Sequence, residues 1–175
     1  MKLITPTDEI SALVLDPGYS TTRAGFAGED VPKSVIPSYY GSIPSDSSSK
    51  GRKHLFGDNS IHNAFPNISI SNVMSKDGTV EDWDTAAKLW EYAITSRLTS
   101  NKPGKIATNG LNDADNEDVK MESVDEQEKP VGENALLMTE SGWNAGRNRE
   151  RGIEIAMESW GVPAYWLARN GVLTS

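Results

Sequence analysis

The chain has 175 residues, 37% of them hydrophobic and 24% charged, with a formal net charge of −8, long enough for about one domain with a real core. It has no cysteine and two histidines, which excludes disulfides, thiolate zinc sites and cysteine nucleophiles and makes His54 and His62 expected surface residues rather than metal ligands. No stretch approaches the roughly 18 apolar residues of a membrane span, and the opening M-K-L-I-T-P-T-D-E-I lacks the apolar core of a signal peptide, so the chain is expected to stay inside the cell and off the membrane.

The first predicted unit is a β-hairpin over Ile10–Gly28. An apolar run ends at Asp16, Pro17-Gly18 reverses the chain, and a second run, Thr22 to Ala27, leaves the turn. Backbone N–H groups that converge in such a turn can hold an anion such as a phosphate, and Asp16 would then stand where a divalent cation wants an oxygen ligand. Pro-Gly is equally the chemistry of a plain type II turn, so the hairpin alone leaves both readings open. Ser34 to Ile36, between Pro32 and Pro37, predicts a third strand and hence a meander.

Gly41 to Lys53, G-S-I-P-S-D-S-S-S-K-G-R-K, has little to bury and is expected to be a mobile loop. The short segment L-F-G-D-N-S follows, and Ile68, Ile70 and Val73 mark a further extended segment over Asn67–Val73. Asp82 is placed as the N-cap of a helix whose apolar stripe is Trp83, Ala86, Ala87, Trp90, Ala93, Ile94 and Leu98. Both tryptophans are expected in the core, the alternative being a ligand platform.

Most of the net charge lies between residues 107 and 133, where nine acids face two lysines. The rest is nearly neutral and lacks the broad basic face that direct nucleic-acid binding needs. The segment Ser100–Asn134 is predicted disordered or extended, either a tether for a basic partner or a solubilising loop. Beyond it A-L-L-M-T reads as a strand, Asn144 as the cap of a second helix with Ile153, Ala156, Met157 and Trp160 on one side, Gly161 as its stop and A-Y-W-L-A, Ala164 to Ala168, as a last strand. A meander followed by strand, helix and strand predicts an α/β fold, because parallel strands need crossover helices.

Five blocks in order, A-L-V-L-D-P-G-Y-S-T-T-R-A-G-F-A-G-E-D-V-P-K-S-V-I-P-S, W-D-T-A-A-K-L-W, L-L-M-T-E, N-R-E-R and V-P-A-Y-W-L-A-R-N, resemble actin and the actin-related proteins. The serine-rich loop and acidic insertion are most similar to the fungal nuclear branch of that family. The resemblance implies a ribonuclease-H-like ATPase fold of which this chain is the first half with parts of the small outer lobe. Residues 1–99 would be the start of that domain, 100–134 the acidic insertion and 135–175 its truncated continuation. The family holds ATP with Mg2+ or Ca2+ in a cleft whose second phosphate loop and adenine pocket are missing here, so residues 1–175 alone are expected to bind no cofactor well.

Carried across by position, Asp16 would face the metal through waters, Gly18, Tyr19 and Ser20 would form the phosphate-facing turn, and Arg23 would stand in place of a phosphate-reaching lysine, a fork in place of a point charge. Tyr19 replaces a small serine, so its ring would crowd the terminal phosphate or turn aside. Asn170 takes the place of the glutamine that positions the attacking water, and a shorter side chain there implies weak or absent hydrolysis; it is also compatible with a helix N-cap. The polar loop Gly41 to Lys53 stands where actin carries apolar filament contacts, which implies no polymerisation. The resemblance further implies a nuclear location, a role in chromatin remodelling, histone acetylation, transcription and DNA repair, and as partners an actin monomer, a helix of a remodeller or acetyltransferase scaffold, and histones or the nucleosome. The alternatives are an active ATPase of the wider superfamily and a truncated fragment without independent function.

Overall fold

The computed structural model describes residues 12–44, 52–98, 131–132 and 134–173. Strands β1 (Ala12–Pro17) and β2 (Thr21–Phe26) are the two arms of the opening hairpin, with Asp16 opposite Arg23. β3 (Ser34–Pro37) completes the meander. The remaining two strands of the main sheet, β7 (Ala135–Glu140) and β8 (Tyr165–Arg169), run parallel to β1, giving the order β3-β2-β1-β7-β8. A second, three-stranded antiparallel sheet is inserted after β3: β4 (Tyr39–Pro44) lies between β5 (Arg52–Leu55) and β6 (Ser69–Asn72). The short helix α1 (Asp58–Ile61) lies between β5 and β6.

Period-two alternation puts Leu13 and Leu15 of β1 and Leu136 and Met138 of β7 into one core. The helix α2 (Trp83–Arg97) lies on that core through Ala86, Leu89, Trp90, Ala93 and Ile94. Its start is as predicted: the Asp82 carboxylate accepts the Thr85 backbone N–H at 3.1 Å. Leu89, fully buried, joins the predicted stripe. Trp90 is core, its ring edge-on to Trp83 at 6.1 Å and to Trp160 at 6.5 Å, whereas Trp83 is only half-buried.

Several readings are corrected. Residues 41–44 and 52–53 are not loop but the arms of the β4–β5 hairpin, because β4 finds a partner on either side and both arms bury their backbone bonds in the sheet; residues 45–51 lie outside the described residues. Pro17-Gly18 is not a type II turn. That turn needs φ above zero at Gly18, and Gly18 is not among the positive-φ glycines; a glycine is required there because a Cβ would lie 2.8 Å from the Thr21 carbonyl oxygen.

Asn144 does not cap α3 (Gly146–Glu154). Ala145 holds that position without a side-chain bond, and Asn144 donates instead to Glu140 at 2.9 Å. The helix then widens into a π turn, Ile155–Ser159; Ile155, Ala156 and Trp160 are buried, whereas Ile153 and Met157 of the expected stripe are exposed. Gly161 stops it at φ 67°, as predicted.

The acidic segment falls mostly on residues 99–130, outside the described residues, but Val131 near its end is 1% exposed and part of the core. His62 is exposed, whereas His54 is half-buried, its ring 5.1 Å from Tyr40 and 6.3 Å from Phe56. Among the described residues no helix is long and apolar enough to cross a membrane.

Candidate functional site

The carboxyl ends of the parallel strands β1, β7 and β8 lie side by side, and this is the edge of an open α/β sheet where ligands bind. The register sets Leu15 beside Met138 and Thr139 beside Ala168. Asp16, Thr139 and the first residue of the short helix α4 (Asn170–Leu173) therefore share that end of the sheet.

Asp16 is fixed from two directions. The Thr139 hydroxyl donates to Oδ1 at 2.5 Å, and Arg23 Nη1 donates to Oδ2 at 3.3 Å across the hairpin. Thr139 is 6% exposed, so its hydroxyl is spent on this bond. Sequence alone does not single this threonine out, and no signal in A-L-L-M-T could do so, because the partner is 123 positions away. The Asp16–Arg23 pair is exposed and is worth about 0–1 kcal/mol, so the guanidinium can leave the carboxylate for a phosphate at little cost.

The turn between β1 and β2 is Gly18, Tyr19 and Ser20. The Gly18 N–H donates within the turn to the Thr21 carbonyl at 3.0 Å. No acceptor for the Tyr19 or Ser20 N–H is found among the described residues. The Tyr19 ring lies against Tyr39, edge-on at 6.1 Å. A hydrogen bond and charge interaction with Tyr39, then burial and Glu81, hold its phenol above the ordinary value of 10, so Tyr19 is neutral at physiological pH and adds no charge against an anion.

Below the carboxyl end of β7, Glu140 is 7% exposed at its side chain and accepts Arg149 Nε on both oxygens, at 2.8 and 2.9 Å, beside the Asn144 amide. This bond set ties α3 to the sheet and accounts for Arg149 of the N-R-E-R block. Tyr165 lines the same recess, where burial first and Glu140 second push its hydroxyl up to about 12.

One carboxylate, one cross-strand guanidinium and two amides without an acceptor among the described residues make a set of groups that fits a phosphate with a hydrated divalent cation. Among the described residues no three acidic or histidine side chains cluster, so a cation at Asp16 would take its other oxygens from water and phosphate, the habit of Mg2+.

A mixed sheet with a three-stranded lobe inserted after its meander, carrying an acid at the hairpin, defines an α/β protein of the actin type. The sequence profile of the family described as Actin matches residues 7–175, and the chain belongs to that family. It is 54% identical over 170 residues to Actin-related protein 4 of Emericella nidulans, covering 96% of this chain and 35% of that protein. It is 49% identical to Actin-related protein 4 of Gibberella zeae, covering 96% and 36%. It is 30% identical to a Schizosaccharomyces pombe protein named SWI/SNF and RSC complexes subunit arp42, covering 94% and 31%. The chain thus spans about a third of the length of these relatives.

Proposed function

We propose that this chain is part of a non-polymerising nuclear actin-related protein, a structural subunit of chromatin-remodelling and histone-acetyltransferase complexes that holds ATP and hydrolyses it little. The observation that carries the nucleotide half is the Asp16 carboxylate, fixed by Thr139 and Arg23 beside a turn with two amides that lack an acceptor among the described residues. The similarity to a protein named as a subunit of SWI/SNF and RSC complexes supports the other half. Its partners would be an actin monomer, a scaffold helix and histones.

Bound ATP with Mg2+ or Ca2+ would supply a polyanion and a cation that join this half of the cleft to the other. Asp16 would meet the cation through waters, while the Tyr19 and Ser20 amides and Arg23 would meet phosphate oxygens. Asn170, at the start of α4, would reach one methylene less far toward an attacking water than glutamine, and phosphoryl transfer depends on that positioning.

The test uses the full-length protein purified from nuclear extract, with its partners identified and its bound nucleotide and turnover measured. Bound ATP, slow turnover, a rise in rate with Asn170→Gln and co-purifying remodeller subunits are expected. Turnover at the rate of actin, or a protein that purifies alone, would overturn the reading.

A further inference from the structure

The turn between β1 and β2 is held by Ser38, which links β3 to β4, and by Asn72, the last residue of β6. Ser38 Oγ donates to the Gly18 carbonyl at 2.6 Å, Asn72 Nδ2 donates to the Tyr19 carbonyl at 3.0 Å, and the Ser38 N–H donates to the Ser20 carbonyl at 3.1 Å. Three successive carbonyls are thus gripped by two residues. Those two are themselves neighbours: the Val73 N–H donates to the Ser38 carbonyl at 3.2 Å, and Asn72 pairs with Tyr39 across β4 and β6. Both are braced. Ser38 Oγ also bonds the Thr22 hydroxyl at 2.9 Å, and Asn72 Oδ1 accepts the Met74 N–H at 2.9 Å.

In a planar trans peptide the C=O of one residue and the N–H of the next point in opposite directions. Tying the Gly18 and Tyr19 carbonyls back onto Ser38 and Asn72 therefore turns the Tyr19 and Ser20 amides away from the small sheet, toward the open side where they lack an acceptor among the described residues. A donor pair fixed in advance costs no reorganisation when an anion arrives. Ser38 is wholly buried, so its hydroxyl has no solvent partner to trade for these bonds.

We propose that Ser38 and Asn72 are positioning residues that set the turn's amides for a phosphate. Ser38 stands where the chain enters the small sheet and Asn72 where it leaves. This inference rests on the nucleotide reading above.

The experiment compares full-length wild type with Ser38→Ala and Asn72→Asp, measuring ATP affinity and the unfolding midpoint with and without ATP. Asn72→Asp keeps an oxygen to accept from Met74 but sets a carboxylate against the Tyr19 carbonyl, so Asn72→Ala, which removes the donor without adding a charge, is measured beside it and carries the test should Ser38→Ala fail to fold. The expected result, whatever the nucleotide-free midpoint, is an ATP-induced upward shift that shrinks and ATP affinity weaker by ~10-fold, the loss typical of one or two hydrogen bonds. A midpoint that falls while the ATP-induced shift and the affinity persist would make both residues structural only and overturn the inference. Variants that match wild type throughout would overturn it as well. A wild type that neither binds ATP nor shifts with it would remove the nucleotide reading and this one together.

Discussion

At the scale of the residue, the charge at the site and its support differ in how far the sequence reveals them. Asp16 is legible because an apolar run that ends in an acid just before a turn sets a charge at the tip of a hairpin, where a buried strand has no use for one. Thr139 is not, since a threonine at the end of a strand is ordinary and only the parallel pairing of β1 with β7 brings it to Asp16. The Thr139→Val variant isolates its contribution. The side chain keeps its volume, but Asp16 Oδ1 loses its donor, and a hydrogen bond to a charged group contributes about 1.5–3 kcal/mol when buried. Asp16 is 37% exposed at its side chain, so water replaces part of the loss and the expected destabilisation is near ~1 kcal/mol. Thr139→Ser should restore the wild-type value. Chemical denaturation of the full-length variants measures both, and a valine variant as stable as wild type would show that the hydroxyl contributes nothing.

At the scale of the element, α2 is legible and α3 is not, for physical reasons. The first has a cap with a side-chain oxygen and an unbroken 3.6-residue stripe. The second lacks a side-chain cap, and its π turn changes the period midway, which no local residue pattern announces. The polar composition of residues 41–53 likewise hides two strand arms, because pairing on either side of β4 supplies what its side chains do not. The cap of α2 makes a quantitative prediction. Burial tends to raise the Asp82 carboxyl, but hydrogen bonds from Thr85, from its side chain and its backbone, and from Tyr40 outweigh that and hold it below the ordinary 3.8. A carboxyl depressed in the folded state stabilises fully above its unfolded value and loses that contribution as the pH falls through the folded one. Asp82→Ala should therefore cost about 1 kcal/mol at neutral pH, and the gap to wild type should close below pH 3.8. Urea denaturation at several pH values measures the gap; one that stays constant into acid would mean that the carboxylate is not what caps the helix.

At the scale of the whole molecule, the proposal that copies of the protein do not polymerise turns on the β4–β5 hairpin. In the β4–β5 hairpin Ile43 and Leu55 are half-buried, and Gly41 packs against Leu55 and Ile68, where an added Cβ would come within 2.9 Å of the Ile68 side chain. The ends that flank its connection, Pro44, Arg52 and Lys53, are exposed. The connecting residues, S-D-S-S-S-K-G at 45–51, are all polar or glycine. An inter-subunit contact made there would bury no apolar side chain, and each fully buried Leu, Ile, Val, Phe or Met side chain is worth roughly 1.5–3 kcal/mol. Without two or three such residues a head-to-tail contact lacks its anchors. The full-length protein is therefore expected to remain in the supernatant when centrifuged at high speed in the salt that polymerises actin, at concentrations where actin pellets. A pellet of ordered filaments would overturn this, and replacing residues 45–51 with an apolar segment of the same length should move the protein toward the pellet if the missing contact area is the cause.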